Sequence, residues 1–283
     1  MQTEVFYNLT NDILFKHVFS HKQLIISLLT AFFHSIGMPK NISEVEIYKD
    51  YPMYGKNVLD KVFFGDILVV LDTGEIVSVE MYNQFNKEEY MKSASYLSRL
   101  FGNQLKKGDN YINAKKVYSI NFITGNYSNE NQELINDYGF VRKVENPNLD
   151  NEFINMYLVR LDLVSKMVYN KNEDDLIRWL KLMVAKNMEE MENIGKGDDA
   201  MEQSVAYVKE FLKENGTTFQ DKLIYEKNVS RNEGLAEGRE KGEKQGILKT
   251  ARNLLKMHFS VQDIAEATGL SKEEIEHISN EKE

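Results

Sequence analysis

The stretch Val62-Phe63-Phe64-Gly65-Asp66-Ile67-Leu68-Val69-Val70-Leu71-Asp72-Thr73-Gly74-Glu75-Ile76-Val77-Ser78-Val79-Glu80-Met81-Tyr82 decides how this chain folds. Two apolar, β-branched runs flank Asp72-Thr73-Gly74, which is the pattern of a β-hairpin. A three-residue loop with glycine last suits a type I turn closed by a bulge whose glycine is left-handed. With that loop Leu71 faces Glu75, and counting back sets Asp66 opposite Glu80. Parity puts Asp66, Glu80 and Tyr82 on one face. The other face, Ile67, Val69, Leu71, Val77, Val79 and Met81, is wholly apolar and predicts burial. Directly opposed Cβ atoms lie about 4.5–5.5 Å apart, and like charges there repel. A cation between the carboxylates relieves that repulsion. Mg²⁺ or Mn²⁺ suits, because hard cations take oxygen ligands and Mg²⁺ is often held by one or two carboxylates. The same two residues also read as solvated strand-end acids, and a one-residue slip of the turn removes the alignment.

Upstream, Thr10 is placed to cap a helix beginning at Asn11, with Ile13, Leu14, His17 and Val18 as its buried stripe. Leu24, Ile25, Leu28, Leu29, Phe32 and Phe33 predict a second helix ending near Gly37-Met38-Pro39. Residues 42–48 read as a strand and Asp50-Tyr51-Pro52 as a loop. Downstream, Asn83-Gln84-Phe85-Asn86 reads as an exit loop. Tyr90, Ala94, Leu97, Phe101 and Leu105 recur at helical spacing over residues 87–107. Residues 117–123 predict a buried strand. Strand, hairpin, helix, strand is an α/β order. Residues 126–150 are polar and loop-like, with edge strands expected at 140–144 and 154–163. Helices are expected at 174–187 and 200–213, the first burying Trp179, Leu180 and Met183.

The Asp66 strand, the hairpin and Glu80-Met81-Tyr82 resemble the core of the PD-(D/E)XK nucleases. The wider text is similar to their transposase-associated, recombination-promoting (Rpn-like) branch. The matching blocks are Asn11-Asp12-Ile13-Leu14-Phe15-Lys16-His17-Val18-Phe19, Gly65-Asp66, Gly74 through Val79-Glu80-Met81, and Tyr96-Leu97-Ser98-Arg99-Leu100. Gln104-Leu105-Lys106-Lys107-Gly108-Asp109-Asn110-Tyr111 and Val117-Tyr118-Ser119-Ile120-Asn121-Phe122 complete them. The resemblance covers most of residues 8–125. It implies a restriction-endonuclease-like α/β core, a mixed sheet flanked by helices, followed by a helical C-terminal region. It implies a metal-dependent DNA endonuclease linked to transposition or recombination. Asp66, Glu80 and the Met81 backbone carbonyl are its implied ligands for Mg²⁺ or Mn²⁺, and the first helix can add Asp12. Asp12 also reads as a first-turn acid favoured by the helix dipole. Lys16 is placed to meet a phosphate. The bound metal would polarise the scissile phosphate and acidify its water. Two residues past Glu80 the family carries Lys or Gln; this chain has Tyr82. A phenol can orient a water, but it has no positive charge and is a poor acid or base near pH 7. Gln84 has the same parity and is the other candidate. The rival reading is a catalytically weak or inactive nuclease-fold protein that binds nucleic acid or protein as a regulatory module.

A net charge of −9 argues against a broad nucleic-acid surface, so DNA contact falls to a local patch. Arg99, Lys106, Lys107, Lys115 and Lys116, against the single acid Asp109, form the concentrated basic stretch, with Tyr111 available for stacking. The same lysines also read as the solvated end of a helix. His17 and His21 have the spacing of a helical metal pair but lack the glutamate of HExxH. The absence of cysteine excludes thiolate chemistry and suits the cytoplasm. No run approaches a membrane span, and the start has no signal-peptide pattern. The predicted organisation is a core at 1–125, an extension at 126–225 and a tail at 226–283. In the tail Gly234, Gly238, Gly242 and Gly246 recur every fourth residue. After them, residues 261–275 resemble a helix-turn-helix turning at Gly269. Glu273, Glu274, Glu276 and Glu281 make its second helix acidic, which points to packing or a protein partner, including a second copy of the chain, instead of DNA.

Overall fold

The Asp72-Thr73-Gly74 turn closes as its residues require. Gly74 takes φ +83°, Gly74 N–H donates to the Leu71 carbonyl at 2.8 Å, and Leu71 N–H donates to the Glu75 carbonyl at 2.9 Å. The computed structural model describes residues 6–53, 63–125, 127, 133–139, 153–167, 173–215, 246–257 and 259–280. Contacts divide the chain into two units, Met1–Lys213 and Glu214–Glu283.

The turn joins β2 (Phe63–Leu71) to β3 (Ile76–Tyr82). Val69 pairs with Val77 and Ile67 with Val79, the register counted from the loop. The outer strand β1 (Val45–Met53) runs antiparallel to β2. On the other side β4 (Val117–Ile123) lies parallel to β3, and β6 (Ile154–Arg160) lies parallel to β4. The other outer strand, β5 (Ile135–Gly139), returns antiparallel to β6. The result is a mixed six-stranded sheet, ordered β1-β2-β3-β4-β6-β5, with helices on both faces. This is the restriction-endonuclease-like α/β arrangement.

The apolar face of the hairpin is buried at Ile67, Val69, Leu71, Val77 and Val79, whereas Met81, beyond the last residue paired with β2, is half-buried. Helices α1 (Asp12–Phe19) and α2 (Lys22–Ser35) cover that face. Phe15 packs on Phe122, Phe32 on Tyr157 and Phe33 on Tyr118, with ring centroids 5.1–6.2 Å apart. The opposite face carries Leu68, Val117, Ile123, Met156 and Leu158. It is covered by Tyr96, Leu97 and Leu100 of α3 (Lys87–Gly102).

Several elements depart from expectation for local reasons. Asn11, not Thr10, caps α1, its side chain accepting from the Ile13 and Leu14 N–H groups. The buried stripe is Leu14, Phe15, Val18 and Phe19, because α1 touches the sheet through Phe15 and Trp179 through Phe19. His17 is thereby turned toward Phe211, and His21 stacks on Tyr207 at 3.8 Å. Strand β1 begins later and runs through Asp50, Tyr51 and Pro52; an outer strand tolerates the missing N–H of proline. Helix α3 stops at Gly102, where Gln104 ties both its amide groups to Lys115 instead of continuing the helix. Polar Asn136 and Asp137 disguised β5 as loop. Residues 140–144, the expected edge strand, lie outside the described residues.

Strand β6 ends at Arg160 and passes into the short α4 (Leu161–Val164). The helix expected at 174–187 divides into α5 (Asp175–Met183) and α6 (Met188–Gly195), the latter capped by Asn187. Trp179, Leu180 and Met183 are fully buried. Residues 199–215 are helical. In the second unit, residues 246–256 are helical and are followed by helices Val261–Thr268 and Lys272–Asn280. They pack around Ala251, Ile264, Ile275 and Ile278, and Gly269 makes the turn at φ +74°. Gly234, Gly238 and Gly242 lie outside the described residues. No described helix is long and apolar enough to cross a membrane.

Candidate active site

Beyond the Ile67–Val79 pair, β2 and β3 part, and two carboxylates take over the missing ladder. Met81 N–H donates to Asp66 Oδ2 at 2.9 Å. Asp66 N–H donates to Glu80 Oε2 at 3.1 Å. Each acid thus holds the other strand's backbone. The Ser78 hydroxyl adds a bond to Glu80 Oε1 at 2.6 Å. Gly65 is required beside them: a Cβ there would meet the Tyr96 hydroxyl at 2.2 Å and Glu80 Oε1 at 2.9 Å. The Gly65-Asp66 pair is therefore a packing solution, with glycine making room for the acid two residues before Tyr82.

The carboxylates sit where their charges are costly. Glu80 is 6% exposed, and the Asp66 side chain is 19% exposed. Burial first and the Asp66 charge second push the Glu80 carboxyl up to about 8. Asp66 is also raised, by burial and by Asp12, against the Met81 N–H and the Lys16 ammonium, which favour its charged form. Burial and the two acids raise the Tyr82 phenol, so it stays neutral. At these two carboxyls the folded chain therefore binds protons more tightly than the unfolded chain. Its stability should fall as pH rises from the ordinary glutamate value of 4.5 to about 8. Melting temperatures measured in chelator across that window should decline, and Glu80→Gln should flatten the decline. A rise with pH would contradict the buried pair.

Asp66 and Glu80 open onto a cavity of about 300 Å³ that is also lined by Met81, Tyr82, Asn83, Gln84, Glu89 and Lys92. Lys16 Nζ lies 3.1 Å from Asp66 Oδ1 and 3.0 Å from Asp12 Oδ1, so it brings Asp12 to the same margin. Arg99, Lys106 and Lys107 are not gathered here. Helix α3 leaves the site end of the sheet and carries Arg99 in its last turn toward the opposite end, where the Lys106-Lys107 loop follows. Sixteen helical residues span about 24 Å.

Three lining residues, Asn83, Glu89 and Lys92, escaped the sequence reading. Asn86 and Glu89 form a capping box that fixes the start of α3. It turns Glu89 and Lys92, one helical turn apart, onto the cavity. The Asn86-to-Glu89 spacing was the available signal. Lys92 Nζ stands 5.7 Å from the Tyr82 ring centroid, and its charge favours ionised Glu80. A cation thus sits beside the position where β3 carries a phenol.

The donor set fits a hard divalent cation. A buried carboxylate pair in which the Asp66 charge raises Glu80 gains from a positive charge between its members, and carboxylate oxygens can accept more than one bond. Among the described residues no three His, Asp or Glu side chains converge as a metal cluster.

A family model described as PD-(D/E)XK nuclease family transposase matches residues 9–231. No curated protein gives a significant match, and neither does any solved structure.

Proposed function

The chain belongs to the PD-(D/E)XK nuclease family transposases, and on that premise we propose that it is a divalent-metal-dependent DNA endonuclease acting at Asp66 and Glu80. The observation that carries this reading is the reciprocal carboxylate pair, buried beside a polar cavity and raised in pKa. Asp66, Glu80 and the Met81 carbonyl would hold Mg²⁺ or Mn²⁺, with Asp12 within reach through Lys16. When bound, such an ion supplies Lewis-acid polarisation of the phosphate and an acidified water.

The chain's own residues do the rest. Lys16 orients Asp66 through its 3.1 Å ion pair. Lys92 faces the phosphate charge from α3, the task that Lys on β3 would perform. Tyr82, neutral, orients the water by hydrogen bonding, and Gln84 offers an amide from the same cavity wall. Arg99, Lys106 and Lys107 bind the flanking DNA backbone at the other end of α3. The tail serves self-association or a protein partner. A cytoplasmic setting accords with the cysteine-free composition.

Tyr82 favours a second reading, a nuclease-fold module that binds without cutting. Supercoiled plasmid separates the two. Mg²⁺ or Mn²⁺ should yield nicked and linear DNA, and EDTA should prevent it. Intact plasmid with DNA and metal both bound would select the binding module.

A further inference from the structure

The loop between α3 and β4 displays two large apolar side chains that no packing role explains. Tyr111 is 87% exposed and Ile112 is 84% exposed. They are neighbours on a single 3₁₀ turn, Tyr111–Asn113. The loop beneath them is firmly built. The Gln104 side chain donates to the Lys115 carbonyl at 3.0 Å and accepts from the Lys115 N–H at 2.7 Å. Asp109 accepts from the Lys106 N–H at 2.7 Å, and Asn110 caps the turn by accepting from the Ile112 N–H at 3.1 Å. Gly108, at φ +100°, makes the bend. A held loop thus presents an aromatic and an aliphatic group outward together.

The surroundings specify the partner. Lys106, Lys107 and Lys115 are exposed on the same loop. Its single acid, Asp109, is occupied by the backbone. Cationic side chains flanking a displayed ring fit a polyanion that has stackable faces. Apolar side chains that enter between base pairs unstack them, at least cost where the step is already unpaired or flexible.

We propose that Tyr111 and Ile112 form a wedge that enters the base stack of DNA at an unpaired or easily unstacked step, while Lys106, Lys107 and Lys115 hold the adjacent phosphates. This rests on the reading of the chain as a DNA-acting protein and adds a preference for distorted DNA. The wedge lies one α3 length, about 24 Å, from the carboxylate end. That corresponds to about seven base steps at 3.4 Å each. The distortion is therefore sensed to one side of the reacting phosphate.

The test uses the full chain in EDTA, so that binding is read without cutting. Affinities are measured for a fully paired duplex and for the same duplex carrying two adjacent mismatches. The wild type should prefer the mismatched duplex by about tenfold, within the range for stacking one base on an aromatic ring. Tyr111→Ala combined with Ile112→Ala should remove the preference without changing the melting temperature, because both side chains are exposed. Lys106→Ala with Lys107→Ala should weaken both duplexes equally and reduce the salt dependence. A preference that survives the Tyr111/Ile112 double substitution would overturn the wedge. So would a wild type with no preference or no DNA binding, or a double variant whose only change is a smaller oligomer. The nuclease reading stands or falls separately, by Mn²⁺ binding at Asp66 and Glu80 in the same preparations.

Discussion

Glu80→Gln and Asp66→Asn are each expected to lower Mg²⁺-dependent DNA cleavage by about a thousandfold, equivalent to the several kcal/mol of charge stabilisation that a bound cation supplies. The fold should survive both changes. Glutamine keeps an acceptor for the Asp66 N–H, and its amide can donate to the Ser78 hydroxyl; asparagine keeps an acceptor for the Met81 N–H. Each substitution also removes one member of a like-charged pair. Without metal and above pH 8, where Glu80 carries its charge, the Glu80→Gln chain should therefore melt no lower than the wild type. Plasmid cleavage and thermal melting on the same preparations check both statements. Wild-type cleavage by either variant would place the chemistry elsewhere.

Lys92→Met should cost about a hundredfold in kcat with little change in KM, the loss typical of removing one group that stabilises developing charge. Methionine keeps an unbranched stem one atom shorter and removes the charge. Lys92 is exposed, so the melting temperature should not move. The informative variant combines Lys92→Met with Tyr82→Lys. It returns a cation to the cavity from β3, and it should recover most of the lost rate if the charge, and not the helix position, is what matters. Lys92→Met cleaving at the wild-type rate would remove Lys92 from the chemistry. No recovery in the double variant would mean that the ammonium must approach from α3.

The hairpin was legible because its information is local. Asp72-Thr73-Gly74 admits few loop geometries, and the loop sets the register from Leu71 to Ile67 without reference to the rest of the chain; the direct Asp66–Glu80 pairing it also predicts is not made, because the strands part there. Strand β4 was legible for a similar reason, its seven residues being apolar enough to mark a strand covered on both faces. What escaped depended on partners distant in sequence. Nothing in residues 45–53 announces that β1 lies at the sheet edge, where Pro52 is tolerated. The stripe of α1 shifted because Trp179 and Phe122 claimed Phe19 and Phe15. Of the site, Asp66, Glu80, Tyr82 and Gln84 followed from parity and order. Lys92 needed the phase of α3, which Asn86 and Glu89 set. Arg99, Lys106 and Lys107 were legible as a basic stretch, but their distance from the carboxylates needed the direction of α3.

The most direct measurement of the central claim is a calorimetric titration of Mn²⁺ into the full chain, run beside the Asp66→Asn/Glu80→Gln double variant at a pH above 8. There the Glu80 carboxyl of the wild type, which burial and the Asp66 charge push up to about 8, is ionised. The wild type should bind Mn²⁺ saturably, and the double variant should show no saturable heat while giving the same circular dichroism spectrum. Equal Mn²⁺ affinity in the two proteins, or none in the wild type, would contradict the assignment of Asp66 and Glu80 as the metal-holding pair.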